Sequence, residues 1–549
     1  MTDSQMPAEV PNQSPPYADI DLYGGDSALK EAVIANGAEA EGPALGAFGR
    51  RWGSAAMLEM ARLANEFPPR LKIFDAKGRR SDTVEFHPAY HHFMAESISA
   101  GLHASTWTPE ATRARAPAEV ARAARFYMVA QVENGHMCPV TMTRAAVAGF
   151  GGEPAFVKML MPKLMSRHYD PMLRPWREKI GITLGMGMTE RQGGTDVRTN
   201  TTRAEADGDA WRITGHKWFM SAPMCDAFLV LAQAAGGLTC FFLPRFAPDG
   251  HVNALHFQRL KDKLGNRSNA SSEVEFDNAY ALKIGDEGAG IRTILPMVQL
   301  TRLDCAISSA GMMRAAVAQA MHHCRVRQAF GKALAEQPMM RTVIADMALE
   351  VEGALASVMR LCRAFDLAAT SPAEAARARL LTPAIKYAVC KTAPALVYEA
   401  MECLGGNGYV EELSLARLYR EAPVNAIWEG SGNVMGLDVL RAFGREPEAA
   451  RAVIAELARE AKALQGAAEA ADFIGKTLTM ETSEAYARAA TERIAQLAAA
   501  AALATGPAGK VAAAYARMRL GHGWQGATYG TAQLEPAEIS LLLKRVLPA

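Results

Sequence analysis

Two segments in the middle of the chain combine residue types that could hold a flat, polar ring. Residues 185–196 (GMGMTERQGGTD) supply small residues and the hydroxyls of Thr189 and Thr195, which could bond a ring edge and a phosphate. Residues 216–221 (HKWFMS) place Trp218 at the end of an expected strand, where its indole could stack on a planar cofactor. A Gly-rich turn and a core tryptophan are the alternative interpretations, so neither segment establishes a site alone.

Two further segments have the composition of an anion site. Residues 327–332 (RQAFGK) end an expected helix with a cation, an aromatic ring and a glycine, which suits a diphosphate and an adenine. Residues 405–409 (GGNGY) form a loop whose backbone could approach a phosphate closely. A helix C-cap at Gly331 and an ordinary turn at residues 405–409 would give the same patterns.

Several familiar sites are excluded. The chain has no Gly-x-Ser-x-Gly, and the run Gly475-Lys476-Thr477 has Ala470 where a P-loop needs its first glycine. The histidines His87, His91 and His92 lack a carboxylate or cysteine at ligand spacing, so we predict no metal site.

Composition bounds the class of protein. A chain of 549 residues that is 50% hydrophobic is too long for one core, so several domains are expected. The 59 basic and 58 acidic residues argue against a globally basic nucleic-acid binder but leave a local basic face open. Eight scattered cysteines, no signal-like N-terminus and no long apolar run predict reduced thiols in a soluble, cytoplasmic protein without a membrane segment.

The elements that must position these segments follow from hydrophobic periodicity and turn residues. Five parts are predicted: an N-terminal arm (1–30), a helical domain (31–185), a β domain (186–286), a helical bundle (287–444) and an Ala-rich helical extension (445–549). The predicted fold class is therefore mainly α with an inserted antiparallel β domain and a C-terminal helical domain.

In order and separation, the four segments, together with residues 427–433 (IWEGSGN), resemble the motifs of the acyl-CoA dehydrogenase family. The resemblance covers residues 31–444. Finer features are similar to the alkylation-response branch of that family, named AidB: the runs at 12–16 (NQSPP), 140–143 (VTMT), 267–272 (RSNASS) and 419–425 (YREAPVN), and the long C-terminal extension. So many ordered matches make coincidence improbable.

The resemblance implies FAD as cofactor and Glu429 as the catalytic base, which removes the α-proton of an acyl-CoA while the β-hydrogen leaves as hydride. Several of the family's cofactor residues, among them Arg327 and Phe330, meet the adenine half of FAD across a subunit interface, so a homotetramer is expected. The residues implied to bind the cofactor are Met186, Met188, Thr189, Gly194, Thr195, Trp218, Phe219, Met220, Ser221, Arg327, Phe330, Gly405, Gly406, Asn425, Trp428, Ser431 and Asn433.

Three positions depart from the family pattern. Trp428 stands where many members carry Tyr, and its bulk should narrow the acyl pocket, so we expect weak dehydrogenation of short branched acyl-CoAs. Glu402 stands where the family often has Gln near the diphosphate. Its negative charge is unfavourable beside the diphosphate unless the carboxylate points away from it. Thr301 stands at the position where other branches of the family carry the base, so no second carboxylate competes with Glu429 for that role.

The AidB resemblance also implies a role in the response to DNA alkylation and binding of double-stranded DNA by the C-terminal extension. Residues 445–549 contain 12 basic and 11 acidic residues, so only a local patch at Lys510, Arg517 and Arg519 supports DNA binding. A solvated helical face is the alternative interpretation of that patch. An alternative function is a DNA-associated flavoprotein that deactivates alkylating agents without turning over acyl-CoA.

Overall fold

In a computed structural model, which describes residues 10–112, 116–151, 153–521 and 528–548, the N-terminal part of the chain is mostly helical. Its elements are α1 (Ser27–Ala35), α2 (Gly42–Trp52), α3 (Ala55–Glu66), β1 (Arg70–Phe74), β2 (Arg80–Glu85), α4 (Pro88–Ser99), α5 (Ala118–Ala130), α6 (Met137–Gly149) and α7 (Pro154–Leu164). The antiparallel hairpin β1–β2 is absent from the sequence prediction, which was helical here. Its strands are short, and the sequence of β2 (RSDTVE) lacks the regular apolar alternation that identifies a strand.

The β domain forms one seven-stranded sheet. Its strands are β3 (Leu184–Gly187), β4 (Arg203–Asp207), β5 (Ala210–Ser221), β6 (Ala227–Ala234), β7 (Gly237–Pro244), β8 (Leu255–Leu260) and β9 (Ser271–Ile284). Most neighbours are antiparallel, as expected, but β3 runs parallel to β6. Strand β9 pairs with β5, β7 and β8, so it lies inside the sheet rather than at an edge.

Long helices follow the sheet. The elements of this bundle are α8 (Gly290–Val326), β10 (Gln328–Ala329), β11 (Lys332–Ala333), α9 (Pro338–Leu367), α10 (Pro372–Cys403), α11 (Gly406–Tyr409), α12 (Ser414–Glu421) and α13 (Gly432–Arg445). Helix α8 is buried along most of its length, because α5, α6, α9 and α10 pack around it. The fold class predicted from the sequence is confirmed.

The C-terminal extension folds into α14 (Pro447–Glu460), α15 (Ala467–Thr479), α16 (Ser483–Thr505), α17 (Gly509–Arg519) and α18 (Pro536–Val546). These helices share one apolar core with the bundle. Ion pairs also connect the two parts, since Arg545 of α18 bonds Glu31 of α1 at 2.7 Å and also pairs with Glu352 of α9. The extension is therefore packed onto the bundle rather than tethered beside it.

The cysteine and membrane predictions concern the whole chain. All eight cysteines are buried and free. Among the described residues, none of the helices combines the length and the apolar character needed to cross a membrane.

Candidate active site

The loop that carries Glu429 lies between a short 3-10 helix (Ala422–Ala426) and α13, next to the first third of α8. Glu429 has a backbone φ of 57°, a left-handed conformation that is uncommon for a residue with a side chain. Its Oε2 accepts a hydrogen bond of 2.6 Å from the hydroxyl of Thr301, which lies on α8. The same hydroxyl is 3.0 Å from the carbonyl of Val298, but it has one proton and the carboxylate is the stronger acceptor.

Two buried cations hold the backbone of this loop. The Lys386 ammonium donates to the carbonyls of Trp428 at 3.0 Å and Gly430 at 2.6 Å. The Arg302 guanidinium donates from Nε to the carbonyl of Glu429 at 2.9 Å, while its Nη1 pairs with Asp438 at 2.7 Å. Three successive carbonyls are thus bound to cations, which accounts for the persistence of a strained conformation at the middle residue.

The indole of Trp428 is fixed at its polar end. Its Nε1 donates to Oδ1 of Asn425 at 2.9 Å, and Nδ2 of Asn425 donates to Ser309 at 3.1 Å. The rest of the indole packs on an apolar cluster that contains Met186 and Met188. Asn425 is only 4% exposed and both ends of its amide are bonded inside the protein, so it holds the indole of Trp428, while its contact with the cofactor stays a prediction.

The predicted wall for the ring system forms where β3 meets β5. Met186 pairs with Ser221, and the peptide N–H of Trp218 donates to the carbonyl of Thr189 at 2.8 Å. Phe219 is 48% exposed, whereas Met220 is completely buried in the core on the other face of the sheet. The pairing of β5 with β9 is irregular between Lys217 and Met220, so simple strand alternation does not assign the faces here, and the cofactor contact of Met220 stays a prediction.

A buried ion pair anchors the loop beyond Thr189. Lys217 donates to Glu190 at 2.7 Å, and Glu190 also accepts from the peptide N–H of Thr201 at 2.6 Å. Burial alone would raise the pKa of Glu190, but Lys217 and the neighbouring donors outweigh it and lower that pKa to about 2. Both residues lie within the two segments singled out in the sequence, but no role was predicted for them. The available signal was one acidic residue in the first segment and one basic residue in the second.

In the turn of that loop, Gly194 lies against the hydroxyl of Thr189, which is expected to contact the edge of the ring. A Cβ on Gly194 would lie 2.4 Å from Oγ1 of Thr189, so only glycine allows this approach. Thr195, the next residue, is exposed. Thr189 therefore lies beside Trp218 and Gly194, while Thr195 marks the outer rim of the same loop.

A second group of predicted residues lies far from Glu429. Arg327 follows the end of α8, roughly 39 Å beyond Thr301 at 1.5 Å per residue. Phe330 is completely exposed, and a Cβ on Gly405 or Gly406 would meet no atom within 4 Å. These residues offer a cation, an exposed ring and open backbone, which fits a nucleotide diphosphate.

Ser431 and Asn433 belong to the Glu429 end of the molecule. Both are exposed at the start of α13, immediately after the Glu429 loop. Arg327 lies at the other end of α8, so these two residues and Arg327 of the same chain are separated by most of that helix. One cofactor can contact both groups only if two copies of the chain supply them.

The predicted basic patch is not present as one exposed surface. Arg519 donates to Asp346 and Glu350, each at 2.8 Å, and its side chain is only 12% exposed. Arg517 pairs with Glu538, and only Lys510 is exposed. Two of the three predicted DNA contacts are therefore neutralised by carboxylates of this chain.

Comparison with protein families gives three consecutive matches. Residues 12–171 match the model of the adaptive response protein AidB N-terminal domain. Residues 185–279 match the middle domain and residues 288–444 the C-terminal domain of acyl-CoA dehydrogenases.

Two curated relatives cover most of the matched region. AidB of Escherichia coli (strain K12), named as an acyl-CoA dehydrogenase, is 51% identical over 443 residues, which are 79% of this chain and 80% of that protein. Acyl-CoA dehydrogenase family member 11 of Caenorhabditis elegans is 32% identical over 412 residues, 70% of this chain and 64% of that protein.

Solved structures share the fold. The structure described as Bd2924 apo-form has a TM-score of 0.81 at 28% identity and covers 90% of this chain and 99% of that one. Caenorhabditis elegans ACDH-11 in complex with C11-CoA has a TM-score of 0.82 at 24% identity and covers 100% of this chain and 93% of that one.

Proposed function

Because the chain belongs to the acyl-CoA dehydrogenase family, whose members are FAD-dependent oxidoreductases that act on CH–CH groups, we propose that it oxidises an acyl-CoA at its α,β-bond. In this proposal Glu429 is the base that takes the α-proton. Bound FAD would supply the acceptor for the β-hydrogen, which leaves as hydride. The observation that carries the proposal is the fixed geometry of the Glu429 loop.

Each contact of that loop has a chemical use. Thr301 bonds Oε2 of Glu429, which orients the carboxylate and leaves Oε1 to receive the proton. The cations on the three carbonyls fix the peptide of Glu429, whose N–H would then be held in place to donate to the thioester oxygen. A base held on both its side chain and its backbone suits removal of a weakly acidic C–H proton.

The size of the acyl group follows from Trp428. The Asn425 amide and the carbonyl contact with Lys386 fix both ends of this residue, so the indole cannot easily move aside for a long chain. We therefore propose short branched acyl-CoAs as substrates and weak turnover of straight ones.

The distance along α8 supports an oligomer. The Glu429 end and the Arg327 end of one chain lie roughly 39 Å apart, which is too far for one dinucleotide to contact both. We propose that a second copy supplies Arg327, Phe330 and residues 405–408 to each cofactor, within a homotetramer.

The test is anaerobic titration of the purified flavoprotein with a short branched acyl-CoA. The substitution Glu429→Gln should abolish the loss of flavin absorbance, because an amide cannot accept the α-proton. The exposed Glu412→Gln is the matched control and should bleach as the natural chain does. Unchanged bleaching in Glu429→Gln would remove the base assignment.

A role in the response to DNA alkylation is a second proposal, supported by the match to the AidB N-terminal domain and by the AidB relative. It could act by deactivating an alkylating agent near DNA. The ion pairs of Arg517 and Arg519 weaken the case for DNA binding through the C-terminal helices. Salt-dependent binding to random duplex DNA that Lys510→Ala reduces would support it, and absence of binding at low salt would exclude it.

A further inference from the structure

The N-terminal arm docks on its own chain at the end of α8. Oδ1 of Asn12 accepts from the peptide N–H of Gln328 at 2.6 Å, and Nδ2 of Asn12 donates to the carbonyl of Gln328 at 3.0 Å. One side-chain amide thus satisfies both backbone groups of Gln328, as a neighbouring strand would. Asn12 itself has a φ of 63°, which Asn tolerates better than most residues.

The same segment of the arm contacts the cation of the predicted diphosphate site. The carbonyl of Asn12 accepts from Nη1 of Arg327 at 2.9 Å. A guanidinium has five N–H donors in one plane, so a bond on Nη1 restricts the orientation of the other donors. The arm therefore helps to orient Arg327.

The arm also reaches the glycine loop. Nδ2 of Asn407 donates to Oε1 of Gln13 at 3.1 Å. Behind this contact, the hydroxyl of Ser14 lies 3.0 Å from Nδ1 of His323, and the carbonyl of Pro15 lies 2.8 Å from Nε2 of His322. Through consecutive residues the arm connects two loops that are distant in sequence and that both belong to the predicted adenine-half site.

The described part of the arm, residues 10–30, stands beside the site and does not cover it. Gly405 and Gly406 are left exposed by this part of the chain, and a Cβ on Gly331, Gly405 or Gly406 would meet none of the described atoms within 4 Å. Asn12 and Gln13 are themselves exposed on their outer side.

We propose that the arm is a component of the cofactor site, in which Asn12 and Gln13 hold Arg327 and residues 405–409 in the arrangement that receives the adenine diphosphate half of FAD. This inference rests on the proposed function, which assigns the adenine half to these loops. A preorganised site loses less freedom on binding, so the contribution of the arm is to affinity. Asn12 and Gln13 are positioning residues, since Arg327 and the glycine backbone make the contacts with phosphate.

The experiment measures binding rather than turnover. Flavin-free, full-length protein is titrated with FAD, followed by quenching of flavin fluorescence, and separately with ADP, which carries only the adenine half. Asn12→Ala should weaken both affinities about tenfold, and Gln13→Ala should weaken them less. Val10→Ala, an exposed arm position two residues before Asn12, is the matched control and should leave both unchanged.

Two outcomes would overturn the inference. Tighter binding of FAD by Asn12→Ala would make the arm a cover, and unchanged binding by both Asn12→Ala and Gln13→Ala would make it irrelevant to the cofactor. Arg327→Ala separates this from the proposed function. If Arg327→Ala weakens ADP binding while the arm variants do not, only the arm inference fails. If Arg327→Ala has no effect, the assignment of the adenine half to these loops fails with it.

Discussion

The Glu429 loop and the surface around Arg327 are built in opposite ways. At the loop, two buried cations and a buried hydroxyl fix one side chain and three carbonyls. Around Arg327, exposed glycines and a fully exposed Phe330 leave space, and the main brace is an exposed arm. The difference fits the proposed function. A base must be held to a fraction of an ångström, whereas a surface that a ligand and, in the proposed oligomer, a second copy complete must stay open.

The largest expected effect tests the Glu429 loop. Lys386→Met removes the ammonium from two buried carbonyls and should lower the free energy of unfolding by about 3 kcal/mol. Lys391→Met, an exposed position on the same helix, is the control and should change stability little. Urea unfolding of the two variants measures the difference. Equal stabilities would show that the loop is not held by its cations.

The next effect concerns the side chain of the base. Thr301→Val keeps the shape but loses the bond to Oε2 of Glu429, so flavin reduction by acyl-CoA should slow about thirtyfold. The affinity for FAD should be unchanged, because the contact is local to the carboxylate. Thr301→Ser should restore the rate in stopped-flow measurements. A serine variant as slow as the valine variant would indicate a packing role for Thr301.

A smaller effect is expected from the wall of the pocket. Trp428→Tyr shortens the side chain and should raise the rate of flavin reduction by straight-chain acyl-CoAs about tenfold. Short branched substrates should gain less, since they already fit. The ratio of kcat/KM for the two substrate classes is the measurement. An unchanged ratio would mean that a residue other than Trp428 limits the length of the acyl chain.

The smallest expected effect tests the surface around Arg327. Glu402 is exposed on the last turn of α10, immediately before residues 405–409, where a carboxylate repels a diphosphate. Glu402→Gln should therefore tighten FAD binding about threefold at low salt. The gain should disappear at 1 M salt, where charges are screened within about 3 Å. A gain that persists at high salt would not be electrostatic.

Much of the candidate site could be predicted from the order of motifs. Thr189, Trp218 and Ser221 meet at one edge of the sheet because β3 and β5 pair there, as the two segments indicated. Met220 and Asn425 were assigned to the cofactor because they lie within the motifs. In the structure the side chain of Met220 is buried in the core of the sheet and the amide of Asn425 holds the indole of Trp428, so both cofactor contacts stay predictions.

Other features needed partners that the sequence does not place nearby. In the linear sequence, Arg517 and Arg519 predict a basic patch. In the structure α17 packs on α9, where Asp346 and Glu350 form ion pairs with Arg519 and neutralise its charge. The hairpin β1–β2 was missed because its strands are short and β2 lacks a regular apolar alternation. For the basic patch, a contact between distant segments decides the outcome, and the local sequence pattern does not record that contact.

The sequence by itself determined the family, the division into helical and β parts, and the motifs that surround Glu429 and Arg327, because residue type and spacing specify local backbone and family pattern. Only the tertiary structure decided that Lys386 and Arg302 hold the Glu429 loop and that Asn12 holds Arg327. Those bonds join residues from separate helices and from the arm. Their geometry arises when the apolar faces of the bundle pack, and no spacing along the chain encodes it.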